Sequence, residues 1–263
     1  MNLQIAIIGA GNMGGAIARG FSQGTLVQSK NIRVSDVSQS NLNAITAFNS
    51  EILASTSNRE IVKDADIVIL AVKPWLVETV IEEIANKLDF KKQIIISIAA
   101  GVDFSQLAKM LTTDATLFRV IPNTGIDVLQ SVSSISAFNA TTEQEEMILT
   151  LFAELGKVFL VPETQLNAFM SLSSCGIAYA FRYIRAAIEG GVEMGIYPNV
   201  AKKVVIQTLR GAIDLLEANG SHPEVEIDKV TTPGGITIKG LNEMEANGFT
   251  NAVIKGLKAS HLK

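Results

Sequence analysis

Three glycines in the stretch Leu3 to Arg19, LQIAIIGAGNMGGAIAR, carry the first chemical signal. Gly9, Gly11 and Gly14 have the G-x-G-x-x-G spacing that lets backbone approach a pyrophosphate. Gly9 permits a sharp exit from a strand, Gly11 leaves room for the phosphates, and Gly14 lets the next helix pack close. Anions would rest at the helix N-terminus beside Asn12 and Met13, where unpaired amides and the helix dipole favour negative charge.

An acidic residue, Asp36, follows about 22 residues beyond Gly14, at the end of an expected strand Asn31 to Ser35, where a carboxylate takes ribose hydroxyls. Taken alone, Asp36 favours NADH, because it would repel the 2′-phosphate of NADPH. Ser35, Ser38, Ser40 and Asn41 could still accommodate that phosphate if Asp36 turned outward, so the expected cofactor is NADPH or NADH. The alternative is that Asp36 merely begins a turn or caps a helix from about Ser40. A second glycine-rich loop lies far downstream in Val230 to Glu243, VTTPGGITIKGLNE, where Gly234 and Gly235 open a helix at about Ile236. It is either a second anion cradle or a plain helix start.

The elements needed to position these loops are legible as a pattern. Ile5 to Ile8, Asp66 to Val72 and Gln93 to Ile98 are apolar without alternation, as in parallel strands covered on both faces. Further strands are expected near Glu51 to Ala54, Thr116 to Val120, Ser131 to Ala137 and Val158 to Val161. Lys73 falls at the carboxyl end of one strand, the edge where ligands bind in open α/β sheets, and Pro74 starts the following helix. A capping box, Thr142 with Glu145, opens a helix that stops at Gly156. Beyond Pro162 the strand signal disappears and the pattern is helical, with a break near Ser173 to Gly176. The expected fold is α/β: an N-terminal Rossmann-type doubly wound sheet over 1–162, then an all-helical domain over 163–263.

Composition narrows the function. The 263 residues carry 22 basic and 26 acidic side chains, a formal charge of −4, which argues against nucleic acid or an anionic membrane surface as partner. No apolar run approaches the roughly 18 to 20 residues of a membrane helix, and the apolar N-terminus reads as a first strand rather than a signal peptide. A single cysteine, Cys175, and two histidines, His222 and His261, give no disulfide and no metal cluster, so a cytoplasmic setting and no metal centre are expected.

Several segments, in order, resemble the pyrroline-5-carboxylate reductase family: IIGAGNMGGAIARG at Ile7 to Gly20, AVKP at Ala71 to Pro74, SIAAGV at Ser97 to Val102, RVIPNTG at Arg119 to Gly125, and VTTPGGITIKGL at Val230 to Leu241. The last is the specific one. The resemblance covers essentially the whole chain and implies reduction of 1-pyrroline-5-carboxylate to L-proline by NAD(P)H, the last step of proline biosynthesis. It implies that Asn58, Ala71, Val72, Lys73, Pro74, Ala99 and Ala100 line the cofactor. Thr232, Gly234, Gly235, Ile236 and Thr237 would receive the substrate, with Thr237 near the imine as the catalytic residue. It also implies that the helical domain binds substrate and pairs subunits, giving a homodimer or a multiple of dimers. Gly125, Cys175, Ile177 and Ile236 depart from the family pattern, which loosens the details of substrate contact and helix entry.

A cyclic imine is basic enough to be protonated near neutral pH, so this chemistry needs orientation more than a strong general acid. Two other functions stay open on sequence. One is a β-hydroxyacid dehydrogenase, which resembles a family with a lysine base on its first C-terminal helix; Gln165 to Ser174 contains none. The other is a noncatalytic NAD(P)H sensor that leaves Thr231 to Thr237 unused.

Overall fold

Side chains along the central strands alternate between two separate cores. Ile5, Ile7, Ile67, Ile69, Ile94 and Ile96 enter one, while Ala6, Ile8, Val68, Leu70 and Ile95 enter the other. Covering on both faces is why these strands read as unbroken apolar runs. The computed structural model describes residues 3–261. Its eight strands are β1 (Ile5–Ile8), β2 (Ile32–Ser35), β3 (Leu53–Ser55), β4 (Ile67–Leu70), β5 (Ile94–Ser97), β6 (Thr116–Ile121), β7 (Ser131–Phe138) and β8 (Gly156–Leu160). They form one sheet in the order β3-β2-β1-β4-β5-β6-β7-β8. Neighbours run parallel except β6 and β7, which are antiparallel.

Six helices cover the sheet: α1 (Asn12–Gln23), α2 (Gln39–Phe48), α3 (Asn58–Val62), α4 (Val77–Ile84), α5 (Phe104–Met110) and α6 (Thr142–Ala153). α1, α2 and α6 pack on one face, and α3, α4 and α5 on the other. Burying each Ile, Leu or Phe contributes roughly 1.5–3 kcal/mol, so both faces are strongly tied to the sheet. The chain winds outward from β1 through β2 to β3 and then returns to β4 on the other side of β1. That reversal opens a crevice beyond the carboxyl ends of β1 and β4.

Three local details differ from the sequence reading. The capping box is one residue earlier: Thr141 accepts from the amide of Gln144, and the Gln144 side chain accepts from the amide of Thr141 at 2.8 Å. α6 ends at Ala153, and Gly156 instead begins β8 with φ +141°, where a Cβ would overlap the Ser131 backbone. Pro74 opens a 3-10 turn, Pro74–Leu76, before α4 begins at Val77.

After β8 the chain continues as α7 (Leu166–Met170), a π-helical turn Ser171–Cys175, and α8 (Gly176–Glu193). The break expected here has a cause in hydroxyl back-bonding. Ser171 Oγ donates to Asn167 O at 2.9 Å and Ser173 Oγ to Phe169 O at 2.8 Å, competing with the regular ladder. The first compact unit ends at Ser174, and the second begins at Cys175.

The second unit is helical: α8, then α9 (Pro198–Asn219), α10 (Pro223–Val230), α11 (Ile236–Ala246) and α12 (Phe249–Ala259). Gly191 on α8 and Ala201 on α9 are buried against each other, and a Cβ on Gly191 would lie 3.1 Å from that of Ala201. Many larger apolar side chains of this unit stay exposed, among them Phe181, Val204, Ile213 and Ile254. Among the described residues, no helix is long and apolar enough to cross a membrane.

Candidate functional site

Each glycine of the first motif meets a different constraint. Gly9 has φ +103°, a conformation that favours glycine, and a Cβ there would come within 2.5 Å of the Ala71 carbonyl oxygen. At Gly14 a Cβ would overlap the Gly9 carbonyl oxygen and lie 2.8 Å from Ala71 Cβ, so only glycine lets α1 approach β1 and β4 this closely. Gly11 caps α1 without a side-chain hydrogen bond, and a Cβ there would meet nothing within 4 Å. Its open side faces the crevice, beside the first amides of α1, which have no partner within their own helix.

That crevice has a volume of about 860 Å³ and lies wholly within the first unit. From the glycine turn it is lined by Gly9, Gly11, Asn12 and Met13, and from the end of β2 by Ser35 and Asp36. Asn58 enters from α3, Ala71, Val72, Lys73 and Pro74 follow β4, and Ala99 and Ala100 follow β5. Gly14 is not on its wall; it packs beneath the turn.

Asp36 is tied to the turn. Its Oδ2 accepts from the Ala10 amide at 2.7 Å and from Asn41 Nδ2 at 3.2 Å, while Oδ1 accepts from the Ser38 amide at 2.7 Å. The helix cap of α2 is Ser38, which accepts from the Asn41 amide. Ser35 Oγ donates to Asn58 Oδ1 at 2.7 Å, and Asn58 Nδ2 donates to Glu83 Oε2 at 2.8 Å.

Glu83 and Thr79, one turn apart on α4, line the crevice, as do Ile121 and Pro122 after β6, and Met170 and Ser174. Sequence reasoning passed over these residues. Pro122 stands within the segment RVIPNTG and Ser174 in the expected helix break, but nothing in the sequence distinguishes Thr79 or Glu83 from a solvated helix face. Ser174 is placed by its hydroxyl, which donates to the Pro122 carbonyl at 2.9 Å. Arg119 does not line the crevice. It is 5% exposed and pairs with Glu163 at 2.7 Å, the same oxygen that accepts from the Phe104 amide at 2.8 Å.

These features fit a dinucleotide: an open approach at Gly11, unpaired helix amides for phosphates, and acceptors at the end of β2 for ribose hydroxyls.

The second glycine loop lies in the other unit. Gly234 has φ +71°, and Gly235 caps α11 while its amide donates to Thr232 O at 2.9 Å. A Cβ on Gly235 would come within 2.7 Å of Thr232 Oγ1. Ile236, 86% exposed, and Thr237 form the first turn of α11, so amides and the Thr237 hydroxyl point from an exposed helix start that has no side-chain cap. His222 serves as the cap of α10, its Nδ1 accepting from the Glu224 amide at 3.3 Å.

Comparison with known proteins covers both units. Residues 163–263 match the family profile described as pyrroline-5-carboxylate reductase dimerisation, and residues 4–101 match one described as NADP oxidoreductase, coenzyme F420-dependent. Among relatives of matching length, the pyrroline-5-carboxylate reductase of Methanosarcina acetivorans is 36% identical over 264 residues, covering 98% of this chain and 97% of that protein. The corresponding Arabidopsis thaliana enzyme is 35% identical over 266 residues, covering 98% and 95%. The crystal structure of Plasmodium falciparum pyrroline carboxylate reductase with NADP bound superimposes with a TM-score of 0.90 at 25% identity, over 98% of this chain and 95% of that one.

Proposed function

The chain belongs to the pyrroline-5-carboxylate reductase family, and on that footing we propose a division of labour between its two glycine loops. The reaction is reduction of 1-pyrroline-5-carboxylate to L-proline with NADH or NADPH. The observation that carries the assignment of the cofactor to the crevice is the glycine turn, closed by packing at Gly9 and Gly14 and open at Gly11. Backbone amides of Asn12 and Met13 hold the pyrophosphate, with help from the helix dipole. Ser35, Asp36 and Asn58 hold the adenosine ribose, and Ala71, Val72, Lys73, Pro74, Ala99 and Ala100 form the walls. When bound, the reduced nicotinamide supplies the hydride.

The loop at Thr232, Gly234 and Gly235 with the start of α11 receives the substrate. The first amides of α11, at Ile236 and Thr237, bind the substrate carboxylate at a helix N-terminus. The Thr237 hydroxyl donates to that carboxylate or to the ring nitrogen and so fixes the ring's orientation. The imine nitrogen arrives protonated, and the amine that forms keeps that proton, so no side chain has to act as a strong acid. Exposure of Thr237 and the uncapped start of α11 support this reading.

Residues 163–263 serve as the helical substrate-binding and dimerisation domain, and the chain works as a homodimer or a multiple of dimers. Support comes from the exposed apolar side chains of α8, α9 and α12, a surface that isolated soluble chains rarely present. A cytoplasmic setting agrees with the single cysteine.

The test is an initial-rate assay of NADH and NADPH oxidation with 1-pyrroline-5-carboxylate near neutral pH, with proline quantified. Stoichiometric proline is expected. Cofactor binding without turnover would leave a sensor rather than a reductase.

A further inference from the structure

We propose that the Glu83 carboxylate reads the base of the dinucleotide, accepting a hydrogen bond from the adenine amino group, and so makes the crevice select adenine over an oxo-purine. The inference rests on the reductase reading above and deepens its cofactor site.

Leu76, Thr79, Val80 and Glu83, spaced as one face of a helix, line the crevice from the 3-10 turn and α4. Val37 lines it from the end of β2, and both Val37 and Leu76 are exposed. Apolar side chains left open on a crevice wall suit the faces of a flat ring, whose polar edge then needs a partner of its own.

Glu83 belongs to the β2 side of the crevice. Its Oε2 accepts from Asn58 Nδ2 at 2.8 Å, and Asn58 Oδ1 accepts at 2.7 Å from the hydroxyl of Ser35, the residue before Asp36. Pro122, Met170 and Ser174 line the crevice on the β6 side. With the pyrophosphate at Gly11, the adenosine half points toward Glu83 and the nicotinamide half toward Pro122.

The second carboxylate oxygen is the one free to read a ligand. Glu83 is half-buried, its Oε1 takes no hydrogen bond among the described residues, and that oxygen stays accessible. Arg59 Nε donates to the Glu83 backbone oxygen at 2.9 Å, and no ion pair holds the carboxylate among the described residues. An ionised carboxylate accepts and cannot donate. Adenine offers it an amino donor. Hypoxanthine has an oxygen in place of that amino group and moves its donor to the ring nitrogen, so acceptor would meet acceptor.

In Glu83→Gln, the Asn58 NH₂ still needs an acceptor. The new amide turns its oxygen to Asn58 and its own NH₂ to the base, where it matches hypoxanthine instead. Glu83→Ala removes both possibilities. Isothermal titration without substrate compares NADH and NADPH, each with its hypoxanthine counterpart, on wild type and the two variants. In the pair that wild type binds more tightly, the adenine form should be favoured about tenfold. That ratio should fall to about one in Glu83→Ala, and to about one or below in Glu83→Gln. General damage to the crevice would weaken both forms alike and leave the ratio unchanged.

Equal affinities in wild type, a variant that keeps the wild-type ratio, or no saturable binding of any of these dinucleotides overturns the proposal. The expected ratios without proline formation would uphold the base reading while failing the reductase reading.

Discussion

In the sheet unit Ile5, Ile7, Ile67 and Ile69 are fully buried, whereas in the helical unit Ile213 on α9 and Ile254 on α12 are 57% and 52% exposed. The two units differ in how their elements can hide apolar surface. A doubly wound sheet buries both faces within one chain, and each strand residue goes to one core or the other. The helical unit has α8 and α9 packed tightly at Gly191 and Ala201 but leaves apolar side chains without cover. The first unit thus encloses a crevice with its own chain, whereas the second leaves apolar surface uncovered.

The largest effect should come from filling the tightest point of the self-contained unit. Gly14→Val places a side chain against the Gly9 carbonyl and Ala71, and overpacking of this kind costs about 1–3 kcal/mol or more. Thermal unfolding should shift down and cofactor titration should show no saturable binding. An unaltered titration would mean that the turn does not hold the cofactor. Next in size is Ile213→Glu on α9, which places a charge on the face assigned to the partner. Sedimentation of wild type at micromolar concentration should show a dimer or larger, and the variant should move toward monomer by roughly 3–5 kcal/mol of lost association. A wild type that stays monomeric would break the comparison.

Thr237→Ala tests the substrate side alone. Losing one hydrogen bond to a charged group costs about 1.5–3 kcal/mol, so kcat/KM should fall roughly 10- to 100-fold while cofactor affinity stays within error. A parallel loss of cofactor affinity would contradict the assignment. The smallest expected effect concerns Glu226, whose carboxyl is lowered to about 2, first by its hydrogen bond to Lys229 and then by that from Ser221. A carboxyl held below its usual 4.5 stabilises the fold above that value, and the contribution is lost as pH falls from there through about 2. Amide protection in α10, corrected for the intrinsic exchange rate at each pH, should fall over that acid window in wild type and change less in Glu226→Gln.

What sequence could show of this molecule follows from the same contrast. β1, β4 and β5 were legible because burial on two faces leaves unbroken apolar runs, and the glycine turn because only glycine fits at Gly9 and Gly14. The capping box slipped by one residue because both Thr141 with Gln144 and Thr142 with Glu145 satisfy the pattern, and only the path of the chain out of β7 decides between them. Gly156 resembled a helix stop, but the need for glycine comes from β7, far away in sequence order. The crevice residues that went unnoticed, Thr79, Glu83, Met170 and Ser174, sit on helices or in the π turn and reach the crevice through the winding of the chain. Their types carry no motif. Glu83 looks like any charge on a solvated helix face until Asn58 is seen bonded to it.

Every role given to the two glycine loops depends on hydride transfer from the cofactor to the imine carbon of the substrate. The decisive experiment supplies NADH or NADPH carrying deuterium at the transferable position together with unlabelled 1-pyrroline-5-carboxylate, and reads the product by mass spectrometry and NMR. L-Proline with one deuterium, on the ring carbon that was the imine carbon, is the expected result. Proline without that label, or labelled cofactor bound with no proline formed, would contradict it.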